Sequence, residues 1–210
     1  MTLASGATAA MIGVVAASYL TGAIPTSYLV GRVFRGIDLR EHGSRNLGAT
    51  NLYRTLGAKF AVPVGLLDIA KGAIPVLVWA PLASDSRLFA LLCGLVAVLG
   101  HVYSVFVRFK GGKGVATAAG VMAAFAPLAV LVCLGVWLAL VFLTGYVSVG
   151  SIAAAAVLPP AVWLLHAESR SFLPAYAALA AMVIWLHRAN IARLRNGTEN
   201  RFGRRAAVRH

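Results

Sequence analysis

Acidic side chains are scarce in this chain: six Asp and Glu in 210 residues, against nineteen Lys and Arg. Charge of either sign is rare too, at 12% of residues, where a soluble domain carries about 25%. Cysteine is almost missing. Cys93 and Cys133 each lie inside an apolar run, which suits small core side chains and leaves no disulfide framework or metal-binding pair to argue from. No Lys or Arg precedes Arg32. The N-terminus therefore lacks the basic region of a cleavable signal, and residues 8–30 are expected to be a retained first span. What the chain does have is apolar bulk: 60% hydrophobic residues and a mean hydropathy of +0.83. A soluble core of this size has too little interior for so many apolar side chains. Disordered chains are apolar-poor, and no repeat period points to a fibrous one. The remaining class is a polytopic membrane protein.

A net charge of +13 suggests nucleic acid until the charges are placed. Sixteen of the nineteen basic residues fall in three polar segments: 31–59, 108–113 and the tail from His187 to His210. Positive charge stays on the cytoplasmic side of a membrane, so all three are expected there, and topology rather than nucleic acid accounts for the excess. Ser84–Arg87 and His166–Ser171 are nearly neutral and read as outer breaks. Between Lys113 and His187 the chain starts and ends inside, so it crosses an even number of times. That stretch has room for four tight spans of about 17–20 residues, with breaks near Ala126–Pro127, Gly145–Gly150 and His166–Ser171. The expected fold is all-α, a single domain over 1–210 with seven transmembrane helices, N-terminus outside and C-terminus cytoplasmic. The piece 114–126 is short enough to be tilted or half-inserted, and five full spans with a re-entrant pair is the competing count.

Three segments carry chemistry. Gly43-Ser44-Arg45-Asn46-Leu47-Gly48-Ala49-Thr50-Asn51, followed by Tyr53-Arg54, gathers a hydroxyl, amides, glycines and guanidiniums. Glycine turns make anion-binding concavities and arginine forks clamp phosphate, although a capped polar loop would look similar. Phe109-Lys110-Gly111-Gly112-Lys113-Gly114-Val115-Ala116-Thr117 opens a helix and suggests phosphate at a helix N-terminus. It is not a Walker A loop, because Val107 and Gly114 stand where that motif needs Gly and Ser or Thr. In the third segment, His187, Asn190 and Leu194 share a helical face. Glu199 is the lone acid among the tail's arginines, so an ion pair ordering the tail is expected. Asp68 and Lys71, three residues apart inside an apolar run, are either a structural pair or functional groups. His101 closes the third span as an interfacial histidine.

These three segments, in this order, resemble the bacterial acyl-phosphate-dependent glycerol-3-phosphate acyltransferases, and the flanks Gly36-Ile37-Asp38-Leu39-Arg40 and Leu66-Leu67-Asp68-Ile69-Ala70-Lys71-Gly72 extend the likeness over essentially the whole chain. The resemblance implies an integral membrane enzyme of the bacterial cell membrane with its active site on the cytoplasmic face. It implies transfer of a fatty acyl group from acyl phosphate to the 1-hydroxyl of sn-glycerol 3-phosphate, giving lysophosphatidic acid and phosphate. It implies catalytic roles for Ser44, Arg54, His187 and Asn190, phosphate binding by Asn46, Gly111, Gly112, Lys113 and Gly114, and a structural role for Glu199. No metal or other cofactor is called for, and no nucleic acid. The expected partners are the two substrates, membrane lipid and a soluble acyl-phosphate synthase. Two residues depart from the family pattern: Arg45 stands where Gly is usual, and Ser104 where a Pro often follows the His101 region.

The residue chemistry is compatible with this. Two phosphorylated substrates need several cations on one side, and an acyl chain needs an apolar groove. No His-x4-Asp arrangement is present, since Leu47, Phe106, Ser171 and Ala192 stand five residues after His42, His101, His166 and His187. A phosphate or organophosphate transporter would use the same cations. It would put them near the bilayer midplane in related halves, whereas these halves show no self-similarity.

Overall fold

The structure, a computed structural model, describes residues 3–202, with side chains from Gly6 onward. Arg204, Arg205 and Arg209, counted in the basic tail above, lie outside the described residues. Every regular element among those residues is a helix: α1 Leu3–Ala23, α2 Thr26–Arg35, α3 Ala49–Leu56, α4 Ala58–Ile74, α5 Arg87–Val102, α6 Val115–Phe125, α7 Pro127–Thr144, α8 Val147–Leu165, α9 Leu173–Leu186 and α10 Arg188–Arg195. A π-turn over Pro75–Trp79 and a 3-10 turn over Ala80–Leu82 prolong α4.

Local chemistry sets the boundaries. Pro127 opens α7, where its missing N–H costs nothing, and Gly145 closes that helix in the left-handed conformation at φ 75°. The expected first span over 8–30 is two helices instead of one. Pro25 supplies no amide and disfavours helical geometry at Ile24, so α1 ends at Ala23 and α2 starts afresh at Thr26.

Among the described residues, six helical stretches are long and apolar enough to cross a membrane: Gly6–Ala23, Ala58–Leu82, Arg87–Val107, Pro127–Thr144, Val147–Leu165 and Ala167–Leu186. The seventh helix of the expected count, α6, has only 11 residues, about 16 Å of rise. It is too short to cross a hydrocarbon core alone. It is instead well covered by its neighbours, with Thr117, Ala118, Gly120, Val121, Met122 and Phe125 all buried. The outer face is apolar as a bilayer demands: Phe142 is 90% and Leu143 76% exposed.

Small residues set the helix pairs. A β-carbon on Gly22 would fall on the backbone of Ala97, and one on Gly100 on the backbone of Tyr19, so α1 and α5 meet backbone to backbone. Gly72 lies against Thr117 and Gly120 against Ile69, which joins α4 to α6 in the same way. Around these seams Leu91, Val98, Val121, Met122, Phe125, Val162 and Tyr176 form the main core. A second cluster of Leu39, Leu47, Leu52, Ala61, Val64 and Val107 presses the segment between α2 and α4 onto the bundle. We expect Gly120→Val to destabilise the protein by about 1–3 kcal/mol or more, because the rigid backbone of Ile69 is what it meets. A thermal unfolding series in detergent checks this. Gly135, which has open space around it, is the control, and Gly135→Val should leave the midpoint unchanged within error.

Candidate active site

The first motif is folded by Asn51. This side chain is 1% exposed, and it accepts the Ser44 N–H at 2.7 Å through Oδ1. Its Nδ2 donates to the carbonyls of Leu39 (3.1 Å) and His42 (3.0 Å). One amide thus closes the loop between α2 and α3. Gly43 is left-handed at φ 58° and lies so close to Asn51 that no β-carbon fits. Arg45 is left-handed as well, at φ 59°, a conformation that favours glycine. Ser44 is half-buried, and Asn51 ties it to α3 one helical turn before Arg54. Asn46 lies beside Gly48 at the start of α3, its Nδ2 close to where a β-carbon on Gly48 would stand. Upstream, Asp38 binds the guanidinium of Arg40 at 2.6 Å and that of Arg32 at 2.9 Å. The Arg40 hydrogen bonds hold its carboxyl well below the usual carboxylate range, against the effect of burial.

The glycines of the second motif act differently from a phosphate cradle. The N–H of Gly111 donates to Val102 O (2.9 Å) and that of Gly112 to His101 O (3.1 Å). Both amides are spent on the last turn of α5 and have nothing left for an anion. What glycine provides here is close approach: a β-carbon on Gly111 would strike His101 O, and one on Gly112 would strike the His101 ring and Leu47 O. Gly114, left-handed at φ 74°, caps α6. Amides free of backbone partners begin after Gly112, in the approach to α6 and its first turn. Lys113 stands at that point, and its Nζ donates to Asn190 Oδ1.

The third motif centres on one carboxylate. Glu199 Oε1 accepts from Asn190 Nδ2 (2.7 Å) and Ser148 Oγ (3.0 Å), and Oε2 accepts from Arg193 Nε (2.7 Å). Burial would raise this carboxyl, but those bonds outweigh it and hold Glu199 below its usual value. Arg54 donates to the carbonyl of Asn200 (3.1 Å), next to Glu199, and its Nε is buried without a partner among the described residues. Burial lowers the Arg54 guanidinium from its ordinary value, yet it stays a cation. Lys113 shifts further: burial pushes it down to about 8, with Glu199 opposing and Arg193 and Arg54 adding. His187 caps α9, and its ring Nδ1 is 2.8 Å from Val183 O. A carbonyl only accepts, so Nδ1 carries the proton and Nε2 keeps a lone pair. Burial, helped by the Lys113 charge, pushes His187 down to about 4, so the ring is neutral near pH 7.

Arg54, Lys113, His187, Asn190 and Glu199 therefore come together from three segments spread over 146 residues. Gly111, Gly112 and Gly114 line the turn that carries Lys113, and Ser44 and Asn46 belong to the Asn51-closed loop. The ion pair expected for Glu199 is with Arg193. Asp68 and Lys71 form the mutual pair that their spacing allows, at 2.8 Å. Sequence reasoning missed Asn51 and Ser148. Asn51 was within reach, as the one buried amide in a loop that needs a cross-brace. Ser148 sits in the expected break at Gly145–Gly150 and belongs to none of the three motifs.

The comparisons with known proteins agree with one another. A family model described as glycerol-3-phosphate acyltransferase matches residues 12–197. A glycerol-3-phosphate acyltransferase of Trichlorobacter lovleyi is 49% identical over 188 residues, covering 90% of this chain and 95% of that one. One of Chlorobaculum parvum is 43% identical over 228 residues, covering 93% and 98%. Among solved structures, the glycerol 3-phosphate form of PlsY (YgiH), an integral membrane glycerol 3-phosphate acyltransferase, superposes with a TM-score of 0.84 at 40% identity, covering 92% of this chain and 96% of that one. Its lysophosphatidic acid form gives 0.81 at 39%. With the match running nearly end to end, the chain belongs to the glycerol-3-phosphate acyltransferase family and is an integral membrane acyltransferase.

Proposed function

We propose that this enzyme transfers a fatty acyl group from acyl phosphate to the 1-hydroxyl of glycerol 3-phosphate, releasing lysophosphatidic acid and phosphate, at the cytoplasmic face of the cell membrane. The observation that carries this is the convergence of Arg54, Lys113 and Arg193 on a single carboxylate, Glu199. Three cations against one anion leave an unmet demand for negative charge, which a phosphate monoester supplies. The relatives' names give the acceptor; the donor is inferred from the chemistry. No acid–base relay is built here, and an acyl phosphate is activated enough not to need one.

Arg54 and Lys113 hold a phosphate, with the free amides at the start of α6 and the Ser44 hydroxyl as further donors. Gly111, Gly112 and Gly114 bring that turn into place, and Asn46 lines it. Neutral His187 accepts a hydrogen bond from the glycerol hydroxyl at Nε2, and Asn190 steadies Lys113. The hydroxyl oxygen attacks the acyl carbon, the bond from that carbon to the phosphate oxygen breaks, and the proton leaves on the departing phosphate. Placing two anions together in a cationic site supplies most of the acceleration. A soluble acyl-phosphate synthase is the expected source of donor.

Seven traverses, N-terminus outside and C-terminus inside, remain the topology we propose. Lys113 and Asn190 are bonded, which supports an even number of traverses between them. With α7, α8 and α9 as three, the short α6 completes the fourth inside the bundle, where neighbouring helices rather than lipid surround it. It starts beside Lys113 and ends where Phe125 O accepts the Ser169 hydroxyl (3.0 Å), near Arg87 in the opposite break.

Cysteines placed at 45 and 196 in intact cells should resist an impermeant thiol reagent, and labelling at either from outside would overturn the orientation. The Lys113 cation is present below about pH 8 and lost above it. The kcat/KM for glycerol 3-phosphate should therefore fall as pH rises through about 8, and Lys113→Arg should flatten that limb. A limb unchanged in that variant would remove Lys113 from phosphate binding. With purified protein and radiolabelled glycerol 3-phosphate, acyl phosphate should support product formation where an acyl carrier protein thioester does not. Arg54→Lys should lose most activity, since an ammonium cannot reproduce the fork. Ser44→Ala should be severely impaired, yet no acyl-enzyme should be trapped by mass spectrometry. A covalent acyl-Ser44 formed with acyl phosphate alone would replace direct transfer by a two-step mechanism.

A further inference from the structure

Asp68, Lys71 and His101 are buried, ionisable and unused by the reaction as drawn. Asp68 is 2% exposed, Lys71 5% and His101 8%. Lys71 Nζ donates to Asp68 Oδ1 and to Ile24 O, each at 2.8 Å. The Thr26 hydroxyl donates to the same Asp68 oxygen at 2.5 Å. The break between α1 and α2 is thus bolted to the middle of α4. Ser104 adds a second bolt, donating to Ala23 O at 2.5 Å. His101, on α5, stands beside this assembly with Nδ1 3.9 Å from Asp68 Oδ1, beyond hydrogen-bond length, and without a partner among the described residues.

Stability alone does not explain such a group. Buried ion pairs are commonly matched or bettered by apolar side chains of similar volume. The position of His101 offers a reason. Its carbonyl takes the Gly112 N–H, the carbonyl of the next residue takes that of Gly111, and its ring lies where a β-carbon on Gly112 would have to go. The glycine turn thus rests on this one residue by both backbone and side chain. Thr26, Lys71, His101, Ser104, Gly111 and Gly112 enclose a cavity of about 10 Å³, roughly the room of one water. The turn has no slack. The residue after Gly112 is Lys113, whose ammonium reaches across to Asn190.

We infer that His101 is a positioning residue for catalysis: standing between the Thr26–Asp68–Lys71 assembly and Gly112, it sets the height of the Gly111–Gly112 turn and so aims Lys113 at the substrate phosphate. It touches neither substrate nor reacting atoms. The inference rests on the proposed role of Lys113. It concerns this residue's action through its neighbour, which overall loss of activity does not reveal.

A double-mutant cycle tests it. Purified His101→Ala, Lys113→Ala and the double variant are assayed for kcat and KM toward glycerol 3-phosphate, and each is melted in the same detergent. In the native background His101→Ala should lower kcat/KM at least tenfold, mainly through KM. In the Lys113→Ala background the same change should cost less than threefold, although it lowers the melting midpoint equally in both. A merely structural role would cost the same factor of activity in both backgrounds, and that result overturns the inference. If His101→Ala does not accumulate, His101→Gln is put through the same cycle and read by the same criterion. A Lys113→Ala enzyme as active as the native one would defeat the role of Lys113 and this inference together. Equal losses on top of an impaired Lys113→Ala enzyme would defeat the inference alone.

Discussion

Glu199 is bonded to Ser148 on α8, to Asn190 and Arg193 on α10, and lies one residue before the carbonyl that binds Arg54 of α3. Nothing else described at this end of the bundle answers so many positive groups. Arg54, Lys113 and Arg193 repel one another, and partial burial strengthens the repulsion by lowering the effective dielectric. The buried carboxylate makes that cluster tolerable. It does so incompletely, and the positive charge left over is what we propose binds the substrate phosphate. The anion that a substrate brings therefore relieves a strain already present in the folded protein. Burial lowers the Lys113 ammonium, Glu199 opposes that, and the Arg193 and Arg54 charges add to it.

Glycine serves two purposes in this fold, and they meet at α5. Within the bundle, Gly22, Gly72, Gly100 and Gly120 let helices touch backbone to backbone, which in a bilayer replaces the hydrophobic drive available in water. At the polar end, Gly111 and Gly112 use the same close approach to lay a turn onto the final carbonyls of α5. That turn satisfies groups a helix end otherwise leaves unpaired. It also delivers a lysine to the site from a scaffold too tight to drift. The small size of α6 belongs to the same design. Covered on nearly every side, it presents its N-terminal amides beside Lys113 at a depth that its neighbours fix.

Much of this could be read from residue order alone. Apolar excess and the grouping of nearly all basic residues into three segments determined a membrane protein with its polar chemistry on one side, because partition between water and lipid depends on composition along the chain and hardly on tertiary detail. The helix breaks at Ala126–Pro127 and Gly145 were legible for a local reason: proline lacks an amide and glycine alone enters the left-handed region freely. So was the Asp68–Lys71 pair, fixed by helical spacing. The break at Pro25 obeys the same rule and was passed over in favour of a longer apolar run.

Only the tertiary structure decided which polar atoms find one another. A glycine-lysine turn is equally compatible with amides aimed at an anion and with amides spent on a neighbouring helix, and the choice rests on where the end of α5 lies. Asn51 as the brace of the first motif, Ser148 as a partner of Glu199 and His101 beneath Gly112 all join residues distant in sequence or hidden in apolar runs. Hydrogen bonds are directional and short-ranged, so they are set by the packing of whole helices, which no local pattern encodes. The sequence thus determined which groups must face the aqueous side and which segments hold them. Packing decided which of those groups are free to bind substrate and which are already committed to holding the others in place.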